Sequence, residues 1–138
     1  MVNKIEENIE KYDISIIEII GHTDGKIVSS SYNNLDNILE KVANEIVPIE
    51  ELRPNSNADL GLVRALAVVK ELPKIQREEG RLKKLNPKQG FRAYSAAQLT
   101  LRSGEFSKAD AKSDPDRRRI EIRFIHFLFA QEKLISST

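Results

Sequence analysis

The sequence predicts an α+β fold: a small mixed β-sheet with helices packed on it. Three observations carry this. Ile14-Ser15-Ile16-Ile17-Glu18-Ile19-Ile20 is β-branched and nearly continuous, the pattern of a strand buried on both faces. Arg118 to Phe129 alternates at period two, with Ile120, Ile122, Phe124 and Leu128 on one face and Arg119, Glu121 and Arg123 on the other. Three stretches between and before them follow helical spacing. The order is helix, strand, helix, helix, strand, strand, a layered architecture with one core.

The first helix spans about residues 3–12, because Val2, Ile5 and Ile9 recur at helical spacing with acids outside. The Ile14–Ile20 strand then ends in the turn Gly21-His22-Thr23-Asp24-Gly25. A second amphipathic helix covers Asn33 to Val47, with Leu35, Ile38, Leu39, Val42 and Ile46 on its apolar face and Asn33 or Asn34 as cap. An isolated helix of this length is marginal in water, so it must find an apolar surface on the domain or on a second copy.

The third helix, Ser56 to Leu72, is apolar round most of its circumference. Ser56 and Asp59 have capping-box spacing, and Pro73 is expected to stop the helix. The charged stretch to Gly90 has room for one short helix. Phe91 to Ser95 is a short strand, Leu101 to Pro115 is loop, and the tail from Ala130 is frayed or briefly helical.

At 138 residues, 40% hydrophobic and 31% charged, the chain suits one globular domain over residues 1–138. No apolar run approaches a membrane span, and the acidic, amphipathic opening does not resemble a signal peptide. There is no cysteine, which removes disulfide and thiolate chemistry. Charge is unevenly spread: residues 1–60 hold 5 Lys/Arg against 12 Asp/Glu, residues 61–138 hold 17 against 9. The basic stretch from Lys74 to Arg92 has no aromatic residue among its charges to stack on bases, so a solvated face is the better reading and no nucleic-acid partner is expected.

One residue stands out. Arg64 lies in the apolar third helix, and Asn57, Gly61 and Arg64 stack on one face at i, i+4 and i+7. A guanidinium taken out of water needs a carboxylate or an anionic ligand beside it. Asp24, just past a buried strand, is the matching candidate. On its local sequence alone it is more simply an Asx-turn aspartate; Arg64 shifts the balance toward a binding role. In the Arg117-Arg118-Arg119 run, strand alternation turns Arg118 opposite to its neighbours, so at least one of the three is expected to pair with an acid inside the fold.

His22 with Asp24 invites a metal, but the second histidine, His126, lies in a strand and no ligand motif surrounds either, so no metal or cofactor is expected. Ser29-Ser30-Ser31 reads as a polar loop. No nucleophile elbow, phosphate loop or acid–base pair appears, so an enzyme is not expected.

Three segments in order resemble the OmpA/MotB family of peptidoglycan-binding domains. Ile19-Ile20-Gly21-His22-Thr23-Asp24-Gly25 resembles its strand and G-x-T-D turn. Asn57 to Ala65 resembles N-x-x-L-S-x-x-R-A, with Gly61 in the serine place. Arg118-Arg119-Ile120-Glu121-Ile122 resembles R-R-V/I-E-I/V. The resemblance implies an OmpA-like β/α/β/α/β sandwich that holds the diaminopimelate stem peptide of the bacterial cell wall. Asp24 would meet the ligand's ammonium and Arg64 its carboxylate. Asn57 and Leu60 would shape the pocket, and Arg118 or Arg119 would support it.

The resemblance also implies a periplasmic domain of a membrane-anchored protein in the cell envelope, most similar to MotB-like stator subunits, including those of Zorya-type phage defence. A homodimer and a membrane-embedded motor partner follow from that. Two departures stand beside it. Residues 26–55 form an insertion after the first visible strand, able to cover the site or extend it. The family's first strand has no room here, so either the chain is a piece of a longer protein or a partner completes the sheet, whose open edge would also favour self-association. The competing expectation is a protein-interaction module that keeps the fold without the wall ligand.

Overall fold

A computed structural model describes residues 1–126. The expectations for Phe127, Leu128, Phe129 and the tail from Ala130 lie outside these residues. Among the described residues the elements are helix α1 (Val2–Tyr12), strand β1 (Ile14–His22), helix α2 (Leu35–Ala43), helix α3 (Asn57–Glu79), strand β2 (Phe91–Ala97) and strand β3 (Arg119–His126), with a single 3-10 turn at Ile49–Glu51 before α3. The fold is α+β, with three helices and one three-stranded mixed sheet, as the patterns predicted.

The isoleucine run occupies the middle of the sheet, in strand order β2-β1-β3. It pairs parallel with β2, Ile17 opposite Phe91, and antiparallel with β3, Ile17 opposite Phe124. That position explains its near-continuous apolar character. Ile17 and Ile19 are completely buried on the face that meets the helices, and Ile16 and Ile20 are buried on the other. Cross-strand pairing carries β1 two residues beyond the expected end, because Gly21 and His22 still find partners in both neighbours. β3 starts one residue later than expected, at Arg119 opposite His22.

Ile5 and Ile9 of α1 join Ile17 and Ile19 of β1, Ala65 and Leu72 of α3, and Leu82 and Leu85 in the main core. Asp13 turns α1 directly into β1 in the left-handed region, at φ 52°, where its short polar side chain is tolerated.

α3 lies closest to the sheet where two glycines meet. A Cβ on Gly21 would sit 1.9 Å from the Gly61 carbonyl oxygen, and a Cβ on Gly61 would sit 2.7 Å from the Gly21 oxygen and 2.3 Å from Ser95 Oγ. Only residues without a Cβ permit this approach.

Two helix boundaries differ from expectation. α3 does not stop at Pro73 but continues to Glu79, where Gly80 (φ 65°) caps it with its N–H on the Gln76 carbonyl. Leu72, just before the proline, is fully buried, and beyond it Gln76 Nε2 donates to the Leu82 and Leu85 carbonyls, both at 2.7 Å. Tertiary anchoring on both sides of Pro73 outweighs the missing backbone donor. α2 is shorter than Asn33–Val47. It ends at Ala43, the N–H groups of Ile46 and Val47 turn back to the Lys41 carbonyl, and Ile46 is exposed.

The segment 26–55 folds back on its own chain. Leu35, Val42 and Leu52 form a second cluster with Leu66 of α3, and Lys70 Nζ donates to the Val42 carbonyl at 2.6 Å. The insertion thus covers α3. Leu35 and Val42 of its apolar face pack within the same chain, with Ile38 and Leu39 partly buried beside them.

Candidate functional site

Asp24 sits just beyond β1 and is buried. Its Oδ1 accepts from the Lys26 N–H at 3.1 Å, which is the Asx turn that the local sequence indicated. Its Oδ2 accepts from the Asp114 N–H at 2.9 Å and lies 3.5 Å from Arg118 Nη1. Burial pushes the carboxyl pKa up. The two backbone donors and the charges of Arg118 and Arg117 outweigh it, holding the group below the ordinary aspartate value. The loop leading to β3 presses on this turn so closely that a Cβ on Gly25 would lie 1.6 Å from the Asp110 carbonyl oxygen.

The capping of α3 matches expectation in one half. Ser56 Oγ accepts from the Asp59 N–H at 3.0 Å. Asp59 returns its carboxylate to the Asn55 N–H and to Asn33 Nδ2 instead of to Ser56. The insertion is thereby clipped to the start of α3. Asn57, buried, adds a second clip, its Nδ2 donating to the Lys26 carbonyl at 3.1 Å.

Arg64 is half-buried, not enclosed as the apolar sequence around it suggested, because Ala67 on the next turn is exposed. Its Nη1 is shut off from solvent and has no hydrogen-bond partner, and no ion pair forms to it among the described residues. The expected carboxylate partner is therefore not directly supplied: Asp24 is joined to Arg118. Arg64, Ala67, Arg118, Arg119 and Ile120 line one open cavity of about 440 Å³. Arg118 links the two halves of the expected site, since it reaches Asp24 and borders the cavity of Arg64. It is also the member of the arginine run that pairs with an acid, as expected of at least one of the three.

The remaining expected residues divide. Leu60 is half-buried and does not border that cavity. Arg119 does, and its Nη1 is likewise buried without a partner. Burial first, then the neighbouring charges of Arg102 and Arg117, lower its pKa against the opposing pull of Glu121.

Sequence reasoning passed over two contacts. Arg117 Nη2 donates to the Gln98 carbonyl at 2.8 Å. His22, nearly fully buried, shares a 2.8 Å hydrogen bond through Nε2 with Glu121, which also accepts from Arg123 Nε at 2.8 Å. The period-two pattern of β3 held the signal, since it puts Glu121 on the face of Arg119 and Arg123. What it lacked was the register that sets His22 beside that face. Among the described residues no three His, Asp or Glu side chains converge as a metal site, and no helix is long and apolar enough to cross a membrane. No family model, characterised protein or solved structure matches this chain.

Proposed function

We propose that this chain is a non-catalytic, OmpA/MotB-type peptidoglycan-binding domain that holds the diaminopimelate stem peptide and anchors a membrane protein or motor stator to the cell wall. The observation that carries the reading is Arg64, whose buried Nη1 has no partner and which lines a cavity shared with Arg118, itself paired with the buried Asp24 carboxylate. A zwitterionic ligand answers both needs. Its carboxylate satisfies Arg64 in a charge-assisted pair. Its ammonium turns to Asp24, whose oxygens offer roughly four acceptor sites, of which the Lys26 and Asp114 N–H groups take two, with Arg118 at 3.5 Å beside them. Arg118 and Arg119 border the ligand, and Asn57 holds the turn in place through Lys26.

The reading places the domain in the periplasm, as part of a membrane-anchored and dimeric stator-like protein with a membrane-embedded motor partner. The experiment is co-sedimentation with purified sacculi of the diaminopimelate type. The parent chain pellets with them. R64A and D24N remain in the supernatant while circular dichroism shows both folded, because removing one member of a desolvated charge pair costs about 2–5 kcal/mol of binding. Equal pelleting of parent and both variants refutes the assignment. A parent chain that never pellets favours the interaction-module alternative.

A further inference from the structure

Arg119 also lines a second cavity, of about 470 Å³, between β3 and the hairpin loop that precedes it. The loop is built, not slack. Thr100 bridges to Phe106, the Leu101 N–H donates to the Glu105 carbonyl at 2.9 Å, and the Ser107 N–H donates to the Leu99 carbonyl at 2.8 Å. It holds Arg102 and Ser103 over the strand residues Arg119, Glu121 and Arg123. The charge balance is uneven. Glu121, the acid in this lining, is already engaged by His22 and by Arg123. Arg119 is left with a buried Nη1 that has no acceptor, and with Arg102 repelling it.

We propose that this cavity binds a phosphoryl oxyanion, seated between Arg102 and Arg119 with Arg123 at the rim. Three guanidinium groups against one acid leave two positive charges, which a dianion neutralises and a single carboxylate does not. Guanidinium forks and the hydroxyls of Thr100 and Ser103 supply more donors than a carboxylate accepts, and they match the three terminal oxygens of a phosphate monoester. This site shares Arg119 and Ile120 with the cavity of Arg64, but neither Asp24 nor Arg64 contributes to it.

The test is a titration of the full chain with inorganic phosphate at constant ionic strength, with chloride as the control, following the arginine Nε–Hε signals by NMR. The expected result is a saturable shift of the Arg119 signal with phosphate and none with chloride. Arg102 is exposed, so R102A keeps the fold; it weakens binding about fivefold. R119K, which keeps the charge but loses the fork, weakens it more. Saturation by a sugar phosphate monoester as well identifies a carried phosphoryl group, whereas saturation by inorganic phosphate alone identifies the free anion. Non-saturating shifts equal to those in chloride, or unchanged affinity in both R102A and R119K, overturn the proposal. R102A still pellets with sacculi as the parent does, which separates failure here from failure of the wall-binding reading.

Discussion

Gly61 shows how one missing side chain fixes the position of a whole helix. The family motif that α3 resembles has serine here, yet this chain has used the space for backbone contact with Gly21 and for Ser95 Oγ. G61S, although a return to that motif, is expected to destabilise the fold by about 2–3 kcal/mol, read from urea denaturation. An unchanged midpoint would mean that the helix can lift from the sheet at no cost. Asp24 gives a prediction of a different kind. Its folded pKa lies below the ordinary value near 4, so its ionised form contributes stability fully above that value. The contribution is lost as pH falls below about 4 through the folded value. The urea midpoint of the parent should fall in that interval, and that of D24N should fall less. Asp24 and Arg64 together mark what sequence could reveal. Arg64 and Asp24 were legible as a mismatched cation and a strand-end acid. Arg118 as the group that joins Asp24 was not, because the two lie far apart in the chain and local periodicity carries no register for that contact.

At the scale of elements, α3 carries a cost that its neighbours absorb. Pro73 removes one backbone donor from the middle of a helix of 23 residues. P73A restores the hydrogen bond to Val69 and loses only the stiffening of the unfolded chain, so it should raise stability by about 1–2 kcal/mol. Differential scanning calorimetry would show a higher Tm; a lower one would mean that the bend at Pro73 is needed by the core beneath it. The helix and strand types were readable because amphipathic spacing and the isoleucine run are strong local signals. The ends were not. The continuation through Pro73 depends on Gln76 reaching Leu82 and Leu85, and the extension of β1 depends on ladder partners in β2 and β3. These are tertiary facts, and they overrode local propensity at each boundary.

For the molecule as a whole, the sheet has a topological consequence. β1 is made first and sits in the centre, yet both of its neighbours come from far along the chain, beyond α2 and α3. β1 cannot pair with β2, the next strand in sequence, until α3 has crossed over. Non-local pairing of this kind puts folding in the slower range of small domains, on the order of milliseconds to seconds. During that interval, and while the ribosome is still producing the second half, Ile14–Ile20 stands as an unpaired apolar strand. Glu18 is the single charge within it. Besides facing Arg92 and Arg123 in the finished sheet, that carboxylate acts as a gatekeeper against self-association of nascent chains. E18V should refold normally when dilute but lose soluble yield steeply as concentration rises, a loss visible as turbidity before any change in the midpoint of unfolding.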